Sequence, residues 1–470
     1  MVLCTPLSSP NEETIPKEVD GVIAAPLHVD AGWHTKSEVP SLPEVFRSIH
    51  VPKGGPAWRR LFAFVGPGYL VAVGYMDPGN WATDIAGGAA FNYTLLSVVL
   101  ISSLMAVFLQ SLSAKLGIVT HRDLAQACRD SYSKRATILL WISAEIAIVA
   151  CDIAEVIGAA IALNLLFGLN LVAGVIITAA DVLLVLALQS KGFRWIETFV
   201  ITLIGTMMVI FGIEIFFAKP DWHGVMMGFI PDSGIIKSHE MLYISLGILG
   251  ATVMPHNLYL HSSIIQTRSF GRSVSELKDA IKMAYTDSTV ALTLALFVNA
   301  AILILAAAVF YRSGHHEVAE INQAYKLLTP LIGVSIATPL FAIALLASGQ
   351  NSTLTGTLAG QIVLEGFLRV KIRPWMRRMI SRLLAIAPSI VAVALFGQAG
   401  LGQLMLFSQV VLSVQLSFAV VPLIQFTSDR TKMGVFANGW ATQLIGWTMA
   451  AGIAILNAYL VFTTLFPTRH

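Results

Sequence analysis

Charge is scarce in this sequence. Asp, Glu, Lys and Arg together make up 12% of its 470 residues, about half the share found in ordinary soluble domains. Hydrophobic residues account for 56%, and mean hydropathy is +0.74. A soluble core cannot absorb that much apolar chain, so a polytopic membrane protein is expected. The net charge of +3 says little, because the charges are unevenly placed. No nucleic-acid partner is expected. Cysteine is rare too. Cys4, Cys128 and Cys151 have no metal or redox spacing, and the latter two read as small packing residues. No disulfide framework is implied.

Enzyme signatures are missing. The sequence holds no phosphate-binding Gly loop, nucleophile triad or nucleotide motif. His256 and His261 invite a zinc-protease reading, but five-residue spacing sets them about 140° apart around a helix. The motif with an intervening Glu and two His four apart is absent. The chain therefore reads as a non-enzyme with no permanently bound cofactor. Residues 1–57 have neither a spanning apolar run nor the charged-then-apolar order of a signal peptide. They read as a mobile cytoplasmic tail, with a short surface helix expected around Leu42–His50.

Eleven apolar segments follow, near 60–88, 94–116, 136–166, 170–190, 195–218, 241–267, 281–311, 327–348, 378–397, 402–427 and 437–465. Most meet the length of roughly 20 residues that spans a bilayer. With the N-terminus in the cytoplasm, 25 of the 30 Lys and Arg fall on the cytoplasmic side. Only Lys219, Lys237, Arg312, Lys326 and Arg469 fall outside. That asymmetry predicts N-terminus in and C-terminus out.

Two short stretches interrupt these segments in corresponding places, Asp77-Pro78-Gly79-Asn80 in the first and Met254-Pro255-His256-Asn257 in the sixth. Proline removes a backbone donor and clashes with the preceding turn. In a bilayer, broken backbone survives only where protein or a polar cavity satisfies the freed groups. Matched breaks point to a transporter's midplane site. They divide the chain into a first repeat (58–218), a second repeat of five (219–427) and an added eleventh helix (428–470). Five is odd, so the second repeat is inverted. The expected fold is all-α, with 11 transmembrane helices, a 5+5 inverted repeat, and helices 1 and 6 broken.

The breaks carry chemistry. Asp77 offers a carboxylate and Asn80 an amide oxygen. Met254 offers a thioether and His256 an imidazole, while unwound backbone exposes carbonyls near Gly74 and Ala251. A bare N-cap is the bland reading of Asp77, but an intramembrane carboxylate costs about 2.5–3.5 kcal/mol and usually has a functional partner. Met is a routine apolar filler; its place directly before the breaking Pro raises its interest. Sulfur among oxygens favours transition metals over Ca²⁺ and Mg²⁺. Glu145, Asp152 and Glu155 share a stripe of the third segment and read as a proton relay or aqueous path. Structural pairing with Arg268 or Arg382 is the alternative. Gln409 could point into the same cavity. Asp181 and Asp287 read as structural, and the glycosylation triplet Asn92-Tyr93-Thr94 lies too near the membrane to weigh much.

Asp77-Pro78-Gly79-Asn80 together with Met254-Pro255-His256-Asn257-Leu258-Tyr259-Leu260-His261-Ser262 resembles the natural resistance-associated macrophage protein (NRAMP) family of proton-coupled manganese and iron transporters, over about residues 58–465. The resemblance implies a LeuT-type fold. It implies metal ligation by Asp77, Asn80 and Met254 side chains and the Ala251 carbonyl, with Gln409 joining in some conformations. It matches Asp77, His256, Glu155, Asp152, Glu145, His261 and Arg268 to proton-pathway and gating positions. Gly74 stands where several relatives have Ala, and Ser381-Arg382 where relatives have paired Arg, so only Arg382 carries over. Met254 argues against the magnesium-transporting branch.

The expectation is a bacterial-type cell-membrane importer of Mn²⁺ or Fe²⁺, also accepting ions like Cd²⁺ and Co²⁺, coupled to H⁺ by alternating access. Its partners would be the metal ion, protons and the lipid bilayer, and a monomer is compatible with this. A same-fold symporter of an organic substrate such as an amino acid is the alternative, opposed by an anionic Asp77 and by Met254. An intramembrane metalloenzyme lacks a metal-plus-base constellation. A channel would conduct without saturation.

Overall fold

The computed structural model describes residues 32–34, 40–42, 45–52, 56–178, 192–317, 321–333, 335–370 and 372–465. They form a helical bundle. The first segment is in three pieces: α1 (Ala57–Phe64), α2 (Pro67–Gly74) and α3 (Pro78–Phe91). Proline opens α2 and α3, where the missing N–H is one the helix could not use. α4 (Leu96–Thr120), α5 (Leu124–Ser131), α6 (Lys134–Phe167), α7 (Leu171–Ile177) and α8 (Phe193–Ala218) follow. Two short helices, α9 (Trp222–Gly228) and α10 (Gly234–Lys237), lead to the second break. There α11 (His239–Thr252) gives way to α12 (Pro255–Ile264). The rest comprises α13 (Val274–Ala306, ending in a π turn at Ala307–Tyr311), α14 (Ile321–Ile332), α15 (Ala337–Leu368), α16 (Pro374–Ser428), α17 (Arg430–Met433) and α18 (Trp440–Leu465).

Among the described residues, seven stretches are long and apolar enough to cross a bilayer: Leu96–Thr120, Lys134–Phe167, Phe193–Ala218, His239–Thr267, Val274–Tyr311, Gly400–Ser428 and Trp440–Leu465. Their outer faces expose large apolar side chains such as Leu139, Phe216 and Ile455. In a soluble protein so many exposed apolar groups would be a liability; here they suit lipid. Inside, α6 packs on α15 and α16, α13 on α2, α3 and α4, and α11 on α3 and α16. The broken elements therefore sit within the bundle, where neighbouring helices can satisfy the freed backbone groups.

Several expected boundaries change. The segment placed at 327–348 straddles a helix end at Ile332 and Gly333, whose φ is 77°. The long helix behind it, α15, runs on to Leu368 through Ser348-Gly349-Gln350-Asn351-Ser352-Thr353. That half is almost wholly buried. A helix surrounded by protein needs no lipid-facing apolar surface, so hydropathy overlooked it. The segments expected at 378–397 and 402–427 share one helix of 55 residues, α16. Only Gln398-Ala399-Gly400-Leu401 divides them in sequence, and its glycine costs a helix just about 1 kcal/mol. The segment expected at 170–190 is helical over Leu171–Ile177, and its remainder from 179 onward, with Asp181, lies outside the described residues.

Part of the stretch read as a mobile tail is docked. Instead of a surface helix around Leu42–His50, turns lead into a strand, β1 (Ile49–His50), paired in parallel with β2 (Arg268–Ser269) behind α12. The Arg47 N–H donates to Gln266 O at 3.0 Å. Ser41 Oγ donates to Asp123, which caps α5 through a capping box. Trp33 packs at a tilt against Phe426, with the Arg122 guanidinium 4.6 Å and the Lys432 ammonium 5.1 Å from its ring. This strap ties the chain ahead of α1 to the end of α12.

Candidate metal site

The two breaks face each other. At the first, Asp77 leaves helical geometry (φ −70°, ψ 166°) and caps α3, its Oδ1 accepting from Asn80 N at 2.8 Å and Asn80 Nδ2 at 2.7 Å. The same Nδ2 donates across the bundle to Ala251 O at 3.1 Å and lies 3.5 Å from Gly74 O. Three oxygens, from Asp77, Ala251 and Gly74, thus converge on one amide NH₂. Its orientation is set from behind. Asn80 Oδ1 accepts from Asn299 Nδ2 at 3.2 Å and Thr252 Oγ1 at 3.5 Å, and Asn299 also donates to Tyr75 O at 2.8 Å. Ser348 Oγ donates to the Met76 carbonyl at 2.6 Å. Asp77, Asn80, Met254, His256 and Gln409 are all 2% exposed or less.

At the second break, Met254 packs with Ala147, Ala150 and Cys151 of α6 and Leu412 of α16. Gln409 lies against Gly79, where any Cβ would strike its amide; its Oε1 is buried without a hydrogen-bond partner. His256 Nδ1 is likewise buried and unpartnered, with Asp152 close enough to act on it electrostatically. Glu155 accepts from Ser352 Oγ at 2.5 Å and sits near Cys151 Sγ at 3.7 Å. A site of this kind combines one carboxylate, amide and backbone oxygens and a thioether in a space closed to bulk water. Such a set suits a divalent cation of intermediate softness.

A second polar chain leads away from the breaks. Gln110 Nε2 donates to Tyr75 Oη at 2.7 Å, Gln110 Oε1 lies 3.0 Å from His261 Nδ1, and His261 Nε2 lies 3.4 Å from Ser288 Oγ. Beyond it Arg268, fully buried, donates to Glu197 Oε1 at 2.6 Å, Phe64 O at 2.9 Å and Val65 O at 2.7 Å. Arg268 therefore binds the α1–α2 junction rather than an acid of α6. Glu145 pairs instead with Arg377, both oxygens at 3.0 Å, and accepts from Trp141 Nε1. The Arg382 side chain lies outside the described residues. Asp287 accepts from Gly68 N at 2.7 Å and from Gly66 N, closing the gap between α1 and α2.

Sequence reasoning missed Asn299, Thr252, Ser352, Glu197 and Arg377. Asn299 carried a signal, as an amide inside the apolar run 291–310. Cys151, read as packing, touches both Asp77 and Glu155.

A model of the family described as "Natural resistance-associated macrophage protein-like" matches residues 68–463. The chain belongs to the Nramp family. Divalent metal cation transporter MntH of Listeria monocytogenes is 60% identical over 433 residues, which is 92% of this chain and 97% of that protein. MntH of Bradyrhizobium diazoefficiens is 58% identical over 438 residues, covering 93% and 97%. Among solved structures, the Eremococcus coleocola manganese transporter in complex with an aromatic bis-isothiourea substituted compound superposes with a TM-score of 0.84 at 41% identity, covering 92% of this chain and 93% of that one. The nucleobase-cation-symport-1 transporter Mhp1, in a closed conformation, aligns with a TM-score of 0.55 at 16% identity over 86% and 94%. At that identity the likeness concerns the fold alone. This Nramp-family chain is thus a multi-pass membrane protein with a LeuT-like fold.

Proposed function

We propose that this chain is a secondary transporter that imports a divalent transition metal ion, Mn²⁺ or Fe²⁺ and also ions like Cd²⁺ and Co²⁺, together with H⁺ by alternating access. The observation that carries the reading is the meeting of Asp77, Gly74 and Ala251 oxygens on the Asn80 amide, beside Met254. The amide hydrogens stand where a cation's charge would be welcomed. In this reading the ion displaces the amide NH₂, Asn80 turns its oxygen inward, and Met254 supplies the sulfur. Gln409 Oε1 is the further oxygen at hand. Eleven crossings in a 5+5 inverted repeat, N-terminus in the cytoplasm and C-terminus outside the cell membrane, give the alternation its symmetry.

Asp77 would be both metal ligand and proton acceptor, and His256, Asp152, Glu155 and Glu145 would pass its proton onward. His261, Arg268 and Arg382 would act in gating. Arg268 bonds the carbonyls of Phe64 and Val65, so opening towards the cytoplasm requires α1 and α2 to leave it. The relatives named MntH, and the manganese transporter, support a metal rather than an organic substrate.

The deciding experiment is Mn²⁺ uptake into proteoliposomes with internal pH recorded. Saturable uptake with internal acidification, competed by Cd²⁺ and not by amino acids, is the expected result. Uptake with no proton flux would leave a uniporter; competition by amino acids alone would favour the organic symporter. Met254→Ala should let Ca²⁺ compete with Mn²⁺ at roughly tenfold lower concentration, because the thioether that sets hard cations at a disadvantage is gone. Unchanged competition would reduce Met254 to packing.

A further inference from the structure

Helix α6 turns one stripe, Ala147, Cys151, Glu155 and Gly158, towards the first break. Gly158 lies so close to Pro78 that a Cβ would overlap the proline ring. Cys151 is thereby brought to Asp77, with Sγ 3.9 Å from Asp77 Oδ2 and 3.7 Å from Glu155 Oε1. Oδ2 is the carboxylate oxygen that Asn80 does not engage. Met254 shares the same buried cluster, together with Leu412. One turn from Leu412, Gln409 holds its buried, unpartnered Oε1 over Gly79. A cysteine that served only as a small apolar filler would have no reason to lie within 4 Å of two carboxylates.

We propose that Cys151 is a selectivity-determining residue, the second sulfur of the metal site, favouring thiophilic divalent ions such as Cd²⁺. The inference rests on the metal-transport reading above. Its geometry is suitable. Metal bonds of about 2.1 Å to oxygen and 2.3 Å to sulfur close across 3.9 Å at an angle near 125°, and longer bonds bring it towards tetrahedral. An ion held on Asp77 Oδ2 thus has Cys151 Sγ within bonding reach without any shift of α6. When that bond forms, the thiol proton has Glu155 Oε1 at 3.7 Å to receive it. Asp77 and Asn80 supply hard oxygen and Met254 a neutral thioether. Adding Cys151 makes the site softer than its oxygen count suggests.

The test titrates the purified full-length protein with Mn²⁺ and Cd²⁺ separately. Cys151→Ser keeps a donor for Asp77 and Glu155 but removes the sulfur. It should weaken Cd²⁺ relative to Mn²⁺ on the order of tenfold and abolish the ultraviolet sulfur-to-Cd²⁺ charge-transfer band. The chain has three cysteines, so the double variant Cys4→Ser/Cys128→Ser leaves Cys151 alone and should retain that band. An unchanged Cd²⁺-to-Mn²⁺ ratio in Cys151→Ser, or no band in the double variant, overturns the proposal. If the wild-type protein bound neither ion, the transport reading itself would fall first.

Discussion

Replacing Asp77 by Asn should abolish Mn²⁺ uptake while leaving the protein folded. In the proposed function Asp77 has two tasks, cap and ligand, that this substitution separates. As a cap, Asp77 accepts the Asn80 N–H at 2.8 Å and closes the start of α3. Asn is about as good an N-cap as Asp, so the broken helix should keep its shape. As a ligand, Asp77 is the one anion among the oxygens gathered on Asn80. It lies at a helix N-terminus, where the dipole favours negative charge. Loss of a residue that merely supports a ligand costs 10–100-fold in affinity as a rule, so loss of the charged ligand itself should cost about 100-fold or more. Proteoliposome uptake and a thermal melt of the same preparation check both halves. Uptake within about threefold of wild type would show that the carboxylate is only a cap.

The breaks were legible because proline cannot hide in a helix. Pro78 and Pro255 fix where α3 and α12 begin, and the polar residues around them had no other reason to lie in apolar runs. What stayed hidden depends on the third dimension. The apolar segment expected to end at residue 348 left most of α15 unread, yet its Ser352 reaches Glu155 and its Ser348 reaches the Met76 carbonyl. Glu197 drew no notice inside the fifth apolar segment, until the fold set it 2.6 Å from Arg268. Glu145 read as part of a proton relay, with pairing to Arg268 or Arg382 as the alternative; its carboxylate bonds Arg377 and Trp141. The strap before α1 had no periodicity to announce it, since a two-residue strand is too short to carry a pattern. Hydropathy sees the lipid-facing surface and the breaks in it. Which polar side chains meet inside is decided by packing between segments far apart in sequence.

Arg268 should be the residue whose loss most disturbs the closed end at the α1–α2 junction, the cytoplasmic end in the proposed topology. Its guanidinium makes four bonds, to Glu197, Thr267, Phe64 and Val65, and it is itself wholly buried. Arg268→Met would leave Glu197, 1% exposed, with only the outer Arg194 partner at 2.9 Å. Breaking a buried pair from one side costs about 3–5 kcal/mol. It would also take the side-chain donor from the Phe64 carbonyl, a loss of about 1–3 kcal/mol if unsatisfied, while Val65 O keeps Arg194 at 2.7 Å. The expected result is a lower melting temperature and a shift towards the state open to the cytoplasm, read as faster labelling of a cysteine introduced along that path. Transport should slow, because the return to the closed state is penalised. The double variant Glu197→Leu/Arg268→Met removes both charges and should recover most of the stability, since the costly half-pair is gone. It should not recover transport, because the Phe64 carbonyl still has no Arg268 guanidinium to rejoin. Equal stability of the single and double variants would mean that the ion pair is not what holds this end shut. The strap would then be the next candidate, because β1 pairs with the backbone of this same Arg268.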